Sequence, residues 1–233
     1  MRATRRERER KIVSATKDLF DARGMRDAQI GDVARAVGIN KAQIYRHFSS
    51  KEELYVQTVV LYLVELEERL ATIDEKAHPV LRLLECSRLY IGYCLDHPAF
   101  LDCCLSLMRV NADDLRETVS GGVMFNLGTR MARCLAVIAA ILRDGAEQGV
   151  FEVDDPDEFA NYLYTRTLGA VHLSRAGVGV RIGEQGLAEA FPFSRERIER
   201  LLIEDTLAGL GVDRKDRRVK RWWASRFPLN PAA

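Results

Sequence analysis

From Ile12 onward, apolar residues return every three or four positions along almost the whole chain, the period of helices with one buried side. Alternating Val/Ile/Thr runs are few, so the pattern predicts an all-α fold. A first helix is expected over about 6–23, with Ile12, Ala15, Leu19 and Phe20 on one side and Gly24 as its stop. A second, over about 29–37, repeats the spacing with Ile30, Val33, Ala34 and Val37 and ends at Gly38. A third starts at Asn40, a good N-cap, and places Ile44 and Phe48 one turn apart. Three short helices with a glycine turn between the last two make a helix-turn-helix head.

A longer helix follows, with Ser50 as its cap and "LYVQTVVLYLVELEERL" as its body, fading near Asp74 and joining the head to a larger helical domain. Further helices are expected at about 79–96, 98–108, 122–148, 156–175 and 194–210, most of them bounded by Pro or Gly. Residues 177–193 are Gly-rich and read as a loop with one short helix inside. The chain thus divides into a head over 1–54, a helical body over 55–212 and a tail over 213–233 that is basic, aromatic and then broken by proline. The longest apolar runs, "LAVIAAIL" and "TVVLYLVEL", fall short of the roughly 18 residues of a membrane span and suit buried helices. The basic N-terminus lacks the apolar stretch of a signal peptide, so a cytoplasmic protein with no membrane partner is expected.

Charge sharpens this division. Residues 1–51 hold 13 Lys/Arg against 6 Asp/Glu, or +7; residues 52–212 hold 15 against 26, or −11; the tail holds 7 against 2, or +5. A basic head on an acidic body predicts that the head alone meets a polyanion. The five cysteines, Cys86, Cys94, Cys103, Cys104 and Cys134, show no metal-binding or Cys-x-x-Cys spacing and read as free thiols packed as small apolar groups. No metal site, cofactor site or catalytic set is expected. Cys94 and His97 straddle a helix end, with no oxyanion-forming motif beside them.

On a helical wheel from Asn40 to Phe48, Ile44 and Phe48 define the buried side, and Ala42, Gln43 and Arg46 face outward. A small residue for close approach, an amide and a guanidinium suit a helix that reads base edges in a major groove. Tyr45 and His47, on the flanks, reach phosphates, and Lys51 adds a charge at a helix N-terminus. Residues 12–54, with "IVSATKDLFDARG" and "IGDVARAVGINKAQIYRHFSSKEEL", are similar to the DNA-binding head of the tetracycline-repressor (TetR) family of bacterial transcription regulators. The order Ala34, Gly38, Tyr45, His47, Phe48, Lys51, Leu54 carries the resemblance. It implies phosphate contacts at Tyr45, His47 and Lys51 and groove-facing positions at Lys41, Ala42, Gln43 and Arg46. This chain departs from the family where a Thr usually caps the second helix: Ala28 stands there, and Asp27 is expected to cap instead. The arginines at 2, 5, 6, 8 and 10 are expected to act as a flexible arm on phosphates or the minor groove.

The resemblance further implies a double-stranded DNA operator, a homodimer formed through the last two long helices, and a small-molecule effector in the body. The corresponding stripes are Ala160, Leu163, Tyr164, Thr167, Leu168 and Val171, then Ile198, Leu201, Leu202, Leu207 and Leu210. Tyr90, Tyr93, Cys94, Met108, Phe125, Thr129, Tyr162 and Arg166, polar or aromatic residues on apolar helices, are the expected pocket. A repressor released by its effector follows. The alternatives are a thiol-redox-responsive regulator and a protein binding DNA or a membrane surface without sequence preference through the Arg-rich N-terminus and "RRVKRWWASRF".

Overall fold

The structure, a computed structural model, describes residues 2–109 and 112–227. Among them the elements follow in the order α1 (Arg2–Arg23), α2 (Ile30–Val37), α3 (Lys41–Tyr45), α4 (Lys51–Leu70), α5 (Pro79–Asp96), α6 (Pro98–Leu107), α7 (Ala112–Thr118), α8 (Gly121–Glu147), α9 (Pro156–Ser174), β1 (Val178–Ile182), β2 (Ala188–Pro192), α10 (Arg195–Gly209) and α11 (Arg217–Arg226). They form two compact units, Met1–Glu68 with Asp96–Cys134, and Arg69–Leu95 with Leu135–Ala233.

In the first unit, Ile12 and Val13 of α1, Ile30, Val33 and Ala34 of α2, Ile44 and Phe48 at α3, and Leu54 of α4 close one buried cluster. The turn between α2 and α3 depends on Gly38, whose φ of 71° is left-handed and free of strain only without a Cβ. It lets the Ile39 amide reach back to the Ala34 carbonyl at 2.9 Å and closes α2. Further along α4, Tyr62 packs on Phe100 of α6 with ring centroids 5.6 Å apart, both fully buried. The Tyr62 hydroxyl meets Asp21 Oδ1 at 2.7 Å, and Lys17 lies 4.8 Å over the Tyr62 ring while pairing with Asp21 and Glu65. These contacts fasten α1 to the connecting helix.

Two expectations change here. The basic N-terminus is helical from Arg2, not a flexible arm, because acids interleaved with the arginines support the helix: Arg5 pairs with Glu9 at 2.9 Å and Lys11 with Glu7 at 3.4 Å. The side chain of Arg2 lies outside the described residues. The short polar helix α7 has no counterpart in the apolar periodicity.

Helix α8 also departs from the reading of apolar runs. An 18-residue window within it reaches a mean hydropathy of 1.4, enough by length and composition to cross a membrane. Its apolar residues form no long unbroken run, because Arg130 and Arg133 interrupt them. Both arginines are paired with Glu67 of α4, at 2.6 and 3.4 Å, and Leu127, Ala139, Ile141 and Leu142 are buried, as in a helix of a folded domain. Only 28% of that window is buried, and Gly128, Ala132, Ala136 and Ala140 are exposed at helical spacing.

In the second unit α9 packs on α10. Ala160, Leu163, Thr167, Leu168 and Val171 face Ile198, Leu202, Leu207 and Leu210 as buried core, with Leu201 and Tyr164 partly covered. The two stripes expected at a dimer interface are therefore used up within the chain. Their amphipathic spacing is the same for either role. Outward from α9 point Tyr162, Thr165, Gly169 and Leu173.

Residues 177–193 form an antiparallel hairpin instead of a loop with a helix. Val178 pairs with Pro192, Val180 with Ala190 and Ile182 with Ala188. The intervening positions turn the other way, where Arg181 pairs with Glu189 at 3.1 Å and stacks over Phe191. The alternation was legible in "VGVRI", but "AEAFP" carries weak strand formers and hid its partner.

The tail begins with a helix, α11, capped by Asp216 and docked on α10. Arg226 straddles the carboxylate of Glu199, with Nε and Nη2 both near Oε1 at 3.1 and 2.9 Å. Arg200 stacks on Trp223 and Phe227. These rings lie against the body, which argues against the membrane-surface reading of this segment; the proline-broken end lies outside the described residues. Removing Arg226 leaves Glu199, 5% exposed, without its guanidinium. Arg226→Ala should cost about 1–3 kcal/mol, and Glu199→Ala added to it should recover part of the loss, as urea unfolding of the single and double variants would measure.

Candidate nucleic-acid interface

Five residues are too few for a helix to hold itself, so α3 is held from outside. Asn40 caps it: its Oδ1 accepts the Gln43 amide at 2.9 Å, and Gln43 Oε1 accepts the Asn40 amide at 3.1 Å. Ile44 and Phe48, 1% and 0% exposed, anchor its inner side. The chain continues past Tyr45 in a tight turn, His47 and Phe48 both donating to the Ile44 carbonyl. Lys41, Ala42, Tyr45 and Arg46 are left exposed together.

The other expected contacts are more constrained. Gln43 is half-buried with its carbonyl oxygen engaged in the cap, so its amino group is what it can offer a base. His47 has 15% of its side chain exposed and turns Nδ1 toward Glu9 Oε1 of α1, 3.4 Å away. Lys51 stands at the first position of α4 with its ammonium 4.9 Å over the ring of Tyr55. At the start of α2 the expected Asp27 cap is replaced by Gln29, whose amide is met by Asp32 Oδ2 at 3.3 Å. Ala28 is buried, and its carbonyl accepts the Tyr55 hydroxyl at 3.0 Å. Gly31 leaves room for the stem of Lys41, whose Cε would stand 2.9 Å from a Cβ built there.

Sequence reading passed over Glu9, Glu53 and Ser120. Glu53 is 7% exposed; its Oε2 accepts the Ser49 amide at 2.8 Å and the Ser49 hydroxyl, and its Oε1 accepts the Ser120 hydroxyl at 2.9 Å. Burial pushes this carboxyl up, but the bonds from Ser49 and Ser120 outweigh it and hold it below its ordinary value. Ser50 accepts the Glu53 amide at 2.9 Å, half of a capping box that Ser50-x-x-Glu53 displays in the sequence.

The eight expected pocket residues are divided between the two units. Tyr90, Tyr93, Cys94, Tyr162 and Arg166 belong to the second unit and Met108, Phe125 and Thr129 to the first. Tyr93 and Cys94 are buried, with Arg69 4.8 Å over the Tyr93 ring, while half-buried Tyr90 lies 6.3 Å from Tyr164, ring to ring. Met108, Phe125 and Tyr162 are 55%, 77% and 51% exposed, and Thr129 is half-buried on α8. Arg166 ties α9 to α10, reaching Asp205, the Leu202 carbonyl at 3.1 Å and Thr206 Oγ1 at 2.6 Å. None of the five cysteines is in a disulfide, and four of them are buried. Burial pushes Cys94 and Cys134 up to about 12 and raises Cys103 as well, so these thiols carry little thiolate at neutral pH, contrary to what a redox switch needs. Among the described residues no group of three or more His, Cys, Asp or Glu is placed to hold a metal ion.

Residues 12–58 match the family of bacterial regulatory proteins, tetR family. An HTH-type transcriptional regulator of Staphylococcus aureus is 26% identical over 104 residues, 44% of this chain and 56% of that one. IcaR of the same species, a negative transcriptional regulator of the biofilm operon icaADBC, is 39% identical over 49 residues, 21% of this chain and 26% of its own length. The matched stretch thus spans about half, or less, of these relatives. Two solved structures share the fold over most of the chain. PfmR, a TetR-family regulator from Thermus thermophilus, has a TM-score of 0.61 at 24% identity, covering 85% of this chain and 98% of that one. FadR from Bacillus subtilis, solved with stearoyl-CoA, has 0.63 at 16% identity, covering 86% and 98%. The glycine turn and capped α3 agree with the match: residues 12–58 form a helix-turn-helix head of the tetR family of bacterial regulatory proteins, and most of the chain shares the fold of solved TetR-family regulators.

Proposed function

We propose that the protein binds a palindromic double-stranded DNA operator as a homodimer in the bacterial cytoplasm and represses transcription until a small molecule in the body releases it. The observation that carries this reading is the exposed set Lys41, Ala42, Tyr45 and Arg46 on a short helix pinned by Ile44 and Phe48, within residues 1–51, whose net charge is +7. Arg46 reads bases; Tyr45 and Lys51 grip phosphates; His47 reaches a phosphate on leaving Glu9. The name of IcaR, a negative regulator, supports repression. The exposed apolar positions on α8 and on the outer side of α9 suit a second copy of the chain.

The effector is best sought beside Tyr90, Tyr93 and Cys94 of α5, where aromatic and polar groups adjoin a buried apolar core. An apolar or aromatic molecule with one or two polar handles fits that chemistry. FadR holds an acyl-CoA on this fold.

Duplex selection from a random library tests the head. Arg46→Ala should relax the selected sequence at one position of each half-site, a loss of about 1–3 kcal/mol, whereas Lys51→Ala should weaken all duplexes alike and flatten the salt slope by about one. An unchanged sequence preference in Arg46→Ala removes the base-reading assignment. For assembly, light scattering should show a dimer that Tyr162→Asp or Leu173→Asp weakens; a wild-type monomer, free and on DNA, refutes it. For the effector, compounds that raise the melting temperature should weaken operator binding roughly 5- to 150-fold, with DNA weakening their binding equally. Stabilising compounds that leave DNA affinity unchanged would reduce the body to a platform for assembly.

A further inference from the structure

The segment that leads out of the DNA-facing helix is bound to a part of the chain nearly seventy residues later. Ser50 uses its hydroxyl twice, accepting the Glu53 amide at 2.9 Å and donating to the Thr118 carbonyl at 2.6 Å. Glu53 likewise spends one carboxylate oxygen on Ser49 and the other on Ser120 at 2.9 Å. Thr118 ends α7 and Ser120 precedes α8, so the junction between those helices holds the turn at 49–50 and the first turn of α4 by two separate bonds. Lys51 lies between the two held residues, and Phe48, immediately before them, is fully buried. The preceding His47 is tied to Glu9 of α1.

We infer that Glu53 and Ser120 are positioning residues for DNA binding, a latch through which the α7–α8 junction sets the attitude of Lys51 and of the α4 N-terminus toward a phosphate. The inference rests on the DNA-binding reading above. Its physical basis is the chemistry of the carboxylate. A nearly buried charged group keeps its acceptors filled, because an unfilled one costs more than an ordinary hydrogen bond returns. Three donors from two separated stretches of chain fill them here, and moving the junction away from α4 would leave Oε1 without Ser120. Any change in the body that displaces the start of α8 is therefore felt at the turn that follows α3.

Ser120→Ala separates this from a plain structural role, since Ser120 is exposed and its substitution leaves the apolar core untouched. Amide hydrogen exchange at Ser49 and Glu53 should quicken, and affinity for the selected duplex should fall about fivefold, the worth of one hydrogen bond, while the melting temperature falls by only about 2–4 °C and leaves the protein folded in both assays. Ser120→Thr, which keeps the hydroxyl, should restore both. Glu53→Gln should act in the same direction as Ser120→Ala, and the two combined should lose less than the sum of their effects. Unchanged exchange at Ser49 in Ser120→Ala brings down the latch alone; faster exchange with unchanged affinity leaves a structural tie and overturns the positioning role. A wild-type protein that enriches no duplex, with exchange at Ser49 still responding to Ser120→Ala, would instead bring down the DNA-binding reading and the positioning role with it.

Discussion

A helix of five residues has no stability of its own, and this constraint shapes the first unit. Nucleating a helical turn is costly, and α3 ends almost where it begins. What fixes it is supplied around it: a capping box at one end, Ile44 beneath it, Phe48 and a tight turn at the other, and the α1–α2 pair that provides the wall. The side chains that remain outside need only be polar and reachable, because their frame is set by neighbours that never leave the interior. A readout surface of this kind tolerates change at Ala42 or Arg46 without loss of fold, and tolerates little at Ile44, Phe48 or Gly38.

The apolar surface is distributed unevenly. The head closes its core within itself, whereas Val178, Val180 and Ile182 on the hairpin, Tyr162 and Leu173 on α9 and the small residues of α8 stay uncovered. A two-stranded hairpin is marginal in water, and its own ion pair and ring contact lie on one face, with both partners of the ion pair exposed. The charged ends of the chain show the reverse. α1 and α11 carry dense arginine, yet acids meet several of these residues, Glu9 for Arg5, Asp216 for Arg218 and Glu199 for Arg226.

Legibility in the sequence followed the kind of force at work. Helices with an apolar stripe and a Pro or Gly boundary were readable to within a few residues: 79–96 against Pro79–Asp96, and 156–175 against Pro156–Ser174. The caps Asn40 and Ser50 were readable because their chemistry is local. The partner of a stripe was not, since Leu168 and Leu202 show the same spacing whether they face a neighbouring helix or another chain. Ties across long separations were invisible for the same reason. Nothing near Arg166 points to Thr206, and nothing near Glu53 points to Ser120. The hairpin was lost because Gly and Ala hide a strand whose pairing lies in the backbone.

The division of the chain into units also bears on synthesis. The first unit takes its residues from Met1–Glu68 and then from Asp96–Cys134, with a stretch of the second unit between them. On a ribosome, where chains lengthen by roughly 5–20 residues each second, the head cluster from Ile12 to Leu54 is complete early. Tyr62 must wait for Phe100, and Glu53 for Ser120, while Arg69–Leu95 emerges before most of its own partners exist. The apolar face of α5 is therefore without most of its partners for several seconds in every nascent chain.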